Sequence, residues 1–167
     1  MSRHVDTSTL GATGRQLRIE AKAEELDALA TRLMVPAVIS LTADLVVECD
    51  EEGVIALEGK FVSELTLTCA VTHEVFDARI AESIKRAFSM EAVSDEVAVD
   101  PLEDDIEPLS SPILDAGEIV VEELALAVPA FPRSEDADQF LEEHNPSADD
   151  GKRLPFAKLS KLVSIKS

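Results

Sequence analysis

The sequence holds no tryptophan, no tyrosine and only six phenylalanines among 167 residues. Leu, Ile, Val and Ala must therefore fill its core, and it lacks the aromatic platform on which single-strand RNA readers stack bases. Cysteine is also scarce. Cys49 and Cys69 are the only two and form no C-x-x-C pair, which excludes a disulfide framework or a zinc knuckle. Bases are outnumbered, with 15 Lys and Arg against 34 Asp and Glu and a net charge of −19. Such a surface repels phosphate backbones at long range. Long apolar runs are missing as well. The stretch Leu124–Phe131 is broken by Pro129 and too short to cross a bilayer. Met1–Thr9 carries no apolar core of a secretory leader. A cytoplasmic location without membrane contact is expected.

What is present suffices for one globular domain, since 46% of the residues are apolar. Residues 1–16, rich in Thr and Gly, read as a flexible N-terminal segment, and 17–163 read as a single domain. A short extended piece, Leu17–Ala21, leads into a helix. In Ala23–Leu33 the residues Leu26, Leu29, Ala30 and Leu33 share one helical face, and Pro36 follows as a stop. The period then changes to two. Ile39, Leu41, Ala43, Leu45, Val47 and Cys49 alternate with polar residues, predicting a half-buried strand over 38–49. A turn at Asp50–Gly53 precedes a second alternation over 54–70, with Gly59 marking a bend or bulge. A third over 75–90 carries Phe76, Ala78, Ile80, Ile84 and Phe88 on one parity. Residues 91–112, acidic and containing Pro101, Pro108 and Pro112, read as a mobile loop. A helix is expected over Glu118–Val128, with Val120, Leu124 and Ala127 as its stripe, and 133–151 read as loop. The fold class is α+β: an antiparallel β-meander or partly closed barrel with two or three flanking helices.

Charge is polarised along the chain. Residues 91–150 contain 19 acids and one base, Arg133, whereas 151–167 contain five bases and no acid. The basic tail also holds an apolar stripe of Leu154, Phe156, Leu159 and Leu162, with Pro155 at the first turn of a short amphipathic helix. Lys152, Arg153, Lys158 and Lys161 are the candidate contacts to RNA or to a partner; alternatively the stripe docks on the protein's own sheet.

Templates for chemistry are not met. His4, His73 and His144 have no ligand spacing. Gly11–Gly14 lacks the Lys of a phosphate loop, and the acids of 100–107 lack the spacing and glycine of a calcium loop. Cys69 falls on the apolar parity of its strand and reads as a buried small hydrophobe. No enzyme activity, cofactor, metal or small-molecule substrate is expected.

Three blocks carry a resemblance. Thr68-Cys69-Ala70-Val71-Thr72-His73-Glu74 is similar to the C-V-T-L-E turn of the YceD family, with Cys69, Val71 and Thr72 at motif positions. Glu118–Ala127, with Glu122, Glu123 and Leu124, resembles that family's E-E-L-x-L block, and Pro155–Leu162, beginning Pro155-Phe156, resembles its N-P-F-A-x-L-x-x-L ending. Some relatives place a second Cys at Thr72 or a Cys after the proline loop; this chain has neither, and Leu154 stands where many have Asn. The resemblance spans roughly residues 15–163. It implies a role in accumulation of 23S ribosomal RNA and in large-subunit assembly, with large-subunit RNA or a basic ribosomal protein as partner. The residues alone leave open a protein-interaction adaptor, or a chaperone for a basic partner with no direct RNA contact. A small-molecule-binding barrel remains a third reading.

Overall fold

The computed structural model describes residues 1–11, 14–90 and 106–144. The chain order is β1 (His4–Asp6), a 3-10 turn, β2 (Arg15–Glu20), α1 (Ala23–Leu33), β3 (Ala37–Cys49), β4 (Val54–Thr68), β5 (Val75–Ser89), β6 (Ile106–Pro108), β7 (Ile113–Asp115), α2 (Ala116–Ala127) and α3 (Ala137–His144). Five strands form one sheet in the order β2-β3-β4-β5-β6, and β1 pairs separately with β7. Neighbours from β2 to β5 are antiparallel, and β6 joins β5 in parallel. The fold is α+β, built on a meander, and the sheet stays open, so the barrel alternative does not hold.

The period-two pattern acts as expected in β4. Ile55, Leu57, Phe61, Leu65 and Leu67 are buried on one face, and α1 covers β3 while α2 lies on β5 and β1. Gly59 occupies the same buried parity, and the register with both neighbours runs through it unbroken, from Leu45 to Gly59 to Ile84. It is therefore not a bulge. A Cβ there would lie 2.2 Å from the Asp44 carbonyl oxygen and 2.8 Å from Leu45 Cδ2. The paired strand β3 approaches too closely for a side chain at this one inward position of β4 that lacks one.

The bulge is in β3, between Val38 and Ser40. The extra residue switches the parity, so Val38 turns inward and Ile39, expected in the core, is exposed. Buried Ser63 faces this irregularity, and its hydroxyl donates to the Ser40 carbonyl at 2.8 Å.

The N-terminal segment differs most from expectation. Val5 is buried, β1 pairs with β7, and the Thr7 amide and hydroxyl both donate to the Pro112 carbonyl. The Arg3 amide donates to Asp115 Oδ1 at 2.7 Å, the same oxygen that caps α2 by accepting from Gly117 and Glu118. The Arg3 guanidinium reaches α1, where it makes two 2.8 Å bonds to Glu25. Threonines and glycines hid this from the sequence, because its partners lie over a hundred residues away. Similarly, 106–112, expected as loop, contains β6, and 133–151, also expected as loop, contains α3, anchored by buried Ala137. Each is too short to show a period. The remainder of the expected acidic loop, 91–105, lies outside the described residues.

Gly59→Ala should lower stability by about 1–3 kcal/mol, because the methyl group overlaps backbone that cannot move without breaking the β3–β4 ladder. A urea titration measures it, and unchanged stability would show that β3 does not pack this closely on Gly59.

The Arg3 bonds, assisted by the Lys22 amide, hold the Glu25 carboxyl well below its usual range, at about 2. A depressed folded pKa contributes stability that is present above the unfolded value of 4.5 and lost as pH falls toward 2. Glu25→Gln should therefore cost about 1 kcal/mol at pH 7 and nothing near pH 2. Thermal melts across that range give the comparison.

Candidate functional site

The Cys69 turn and the E-E-L helix, far apart in sequence, border one face of the molecule. The β4–β5 hairpin closes through Cys69, whose amide donates to the Glu74 carbonyl, while His73 adopts φ 62° and donates back to the Cys69 carbonyl. His73 is exposed in the turn, as its sequence context implied. The Ala70 amide donates to Pro132 of the loop after α2, so hairpin and proline loop are stitched together.

Cys69 is buried at this seam. Its sulfur accepts from the amides of Val71, Thr72 and Ser134, each at 3.4 Å. Burial opposes ionisation of the thiol, but the bonds from Ser134 and Thr72 prevail and bring it from 9.0 to about 6. The apolar reading of Cys69 is thus incomplete. Its burial was legible from strand parity, whereas the N–H donors come from a loop 65 residues downstream and leave no local signal.

On α2, Leu124 is buried while Glu122 and Glu123 turn toward Arg86. Arg86 lies on the inward parity of β5, between Ile84 and Phe88. It grips Glu107 of β6 with two nitrogens and makes 3.2 Å bonds to Glu122 and Glu123, with its guanidinium 5.6 Å from the Phe88 ring centre. The Glu107 bond, opposed by burial, heads the causes that raise the Arg86 pKa further. One cation thus ties β6 to α2 and faces three carboxylates, leaving two negative charges in excess. Sequence reading passed over Arg86, though an Arg on the apolar parity of a strand was the available signal.

Between these two features runs a groove of about 580 Å³, floored by Leu67 and Thr68 and walled by Val35, Ala125, Val128 and Pro132. At its upper end it adjoins a second cleft that Arg32, Ala125, Leu126, Glu122 and Glu123 share. The most exposed large apolar side chains among the described residues are Met34 at 92%, which lines the groove, Leu126 at 80%, which lines the adjoining cleft, and Phe131 at 79%, between the lining residues Ala130 and Pro132 in sequence. Met34 caps α1 in the left-handed region with φ 56°, which points its side chain off the helix. Arg32 bridges to Glu118 at 2.6 Å and fixes α1 against α2 beside the groove.

The remaining expected site residues, Lys152, Arg153, Lys158, Lys161, Pro155 and Phe156, lie outside the described residues. Among the described residues no three His, Cys, Asp or Glu side chains gather as metal ligands, and no helix is long and apolar enough to cross a membrane.

Replacing Cys69 by Ala should remove the acceptor of three amides and cost about 1–3 kcal/mol. Cys69→Ser retains an acceptor and should cost less. Because the folded thiol titrates below the unfolded one, its contribution is complete above pH 9 and fades as pH falls toward 6. The stability gap between wild type and Cys69→Ser should narrow over the same interval, measured by denaturant melts. A gap independent of pH would mean the sulfur stays protonated.

Comparison with known proteins gives one finding. A family model described as "Large ribosomal RNA subunit accumulation protein YceD" matches residues 57–163, a span that includes the Cys69 turn, Arg86 and α2. No curated protein matches, and no solved structure does.

Proposed function

The chain belongs to the YceD family of large ribosomal RNA subunit accumulation proteins, and from that premise we propose that it is a non-enzymatic cytoplasmic factor supporting 23S ribosomal RNA accumulation during large-subunit assembly. The observation that carries this reading is the family match itself, extending over well more than half of the chain and over both motif blocks that border the groove. The basic segment with Lys152, Arg153, Lys158 and Lys161 is the contact to RNA phosphates, because residues 151–167 gather five bases with no interspersed acid.

A second reading has its own support. The two excess negative charges around Arg86, together with the acids of α3, give a surface suited to a basic ribosomal protein.

Co-sedimentation with assembling large subunits tests both. Replacing the four bases by Gln should weaken association and lower the log–log salt slope by up to about 3. Unchanged association would remove the segment from the contact and leave the acidic surface as the binding site.

A further inference from the structure

We propose that the apolar groove between the end of α1 and the end of α2 is the docking site for this chain's own segment Leu154–Leu162. The inference does not depend on the RNA reading.

Three observations support it. The first is where exposed apolar surface is concentrated. Met34 lines a groove walled by Val35, Val128 and Pro132, Leu126 lines the cleft that adjoins it, and Phe131 lies in sequence between its lining residues Ala130 and Pro132; each of the three is at least 79% exposed. Leaving side chains of that size in water around a concave apolar surface is costly unless something covers it. The second is chain geometry. Pro132 is a wall of the groove and lies just before α3, whose first residue, Ala137, is buried, and whose loop is held by the Ser134 bond to Cys69. An eight-residue helix advances the chain by only about 12 Å. The connector from 145 to 155 extends to roughly 35 Å, so the segment reaches back with slack.

The third is complementarity. Phe156, Leu159 and Leu162 recur every three residues, a stripe that fits a groove of this volume. The sequence from 151 to 167 has five bases and no acid, and the groove continues at Ala125 into the cleft of Glu122 and Glu123, where Arg86 leaves two negative charges in excess. The apolar side chains cover the groove, and Lys158 or Lys161 meets the excess charge. The bases not taken up by those carboxylates remain in solvent.

The absence of Trp and Tyr supplies the test. Phe156→Trp in the full chain introduces a single indole. Docking predicts blue-shifted emission and acrylamide quenching several-fold weaker than for the same protein in urea. Leu126→Glu and Met34→Glu, at side chains that are already exposed, should each restore solvent-like emission and quenching while leaving the far-ultraviolet circular dichroism unchanged. The signal should not vary with protein concentration. Emission typical of exposed indole in the parent variant would overturn the proposal, as would protection that survives both Glu substitutions, which places the segment elsewhere. Protection that grows with concentration would assign the groove to a second copy and equally overturn docking within one chain. Protection that arises only when a basic protein or large-subunit particle is added would do the same. Emission and quenching of the variants alone require no ribosome association, so failure there leaves the functional proposal standing.

Discussion

The pairing of Val54–Thr68 with β5 along its full length, and of Ile55–Thr66 with β3 on the other side, holds the rest of the molecule in place. Its inward column, Ile55, Leu57, Phe61, Leu65 and Leu67, is the buried floor of the core, flanked by β3 under α1 and β5 under α2. In a chain so poor in aromatics, this floor brings enough aliphatic surface together only by being long, and a long strand must bend to enclose anything. Gly59 lets the paired backbone of β3 approach closely with the register unbroken, because no side chain stands between them. The bulge at Ile39 and the Ser63 bond to Ser40 make the second adjustment, near the opposite end.

Charge is handled by a few cations, each bridging elements distant in sequence. Arg3 joins the N-terminus to α1, Arg32 joins α1 to α2, and Arg86 joins β5 to β6 and α2. In a protein with more than twice as many acids as bases, every such cation has carboxylates to spare around it. The excess is greatest at Arg86, which is why the acidic character of the surface becomes local and directional there instead of spreading evenly. The same arginine sets the position of the two glutamates that belong to a motif of the family.

The groove arises where these constraints end. Beyond Leu33 the first helix stops at Met34 and the chain enters β3 at Ala37, beyond Ala127 the second helix stops before Pro129, and among the described residues no strand follows it. The Cys69 sulfur holds the proline loop against the hairpin at one end through Ser134, so the groove keeps its shape as a property of packed elements and not of a free loop. A thiol serves here because a large polarisable acceptor can receive three amides at once without a charged partner.

The sequence by itself determined the elements whose pattern is long enough to express a period. The strands expected over 38–49, 54–70 and 75–90 are β3, β4 and β5, and the helices over 23–33 and 118–128 are α1 and α2, within a residue or two at their ends. The family resemblance was legible too, since the blocks around Cys69 and Glu122 lie inside the matched span. Only the tertiary structure decided the rest. Three-residue strands such as β1, β6 and β7 have no period to read, and their existence depends on partners remote in the chain. Ile39 left the core because one extra residue reversed the parity, a choice made by the register with β4. The three donors to Cys69, the three carboxylates on Arg86 and the groove between two helix ends are all meetings of distant segments. Alternation along a chain reveals which face a residue presents, but what that face meets is set by how the elements close on one another.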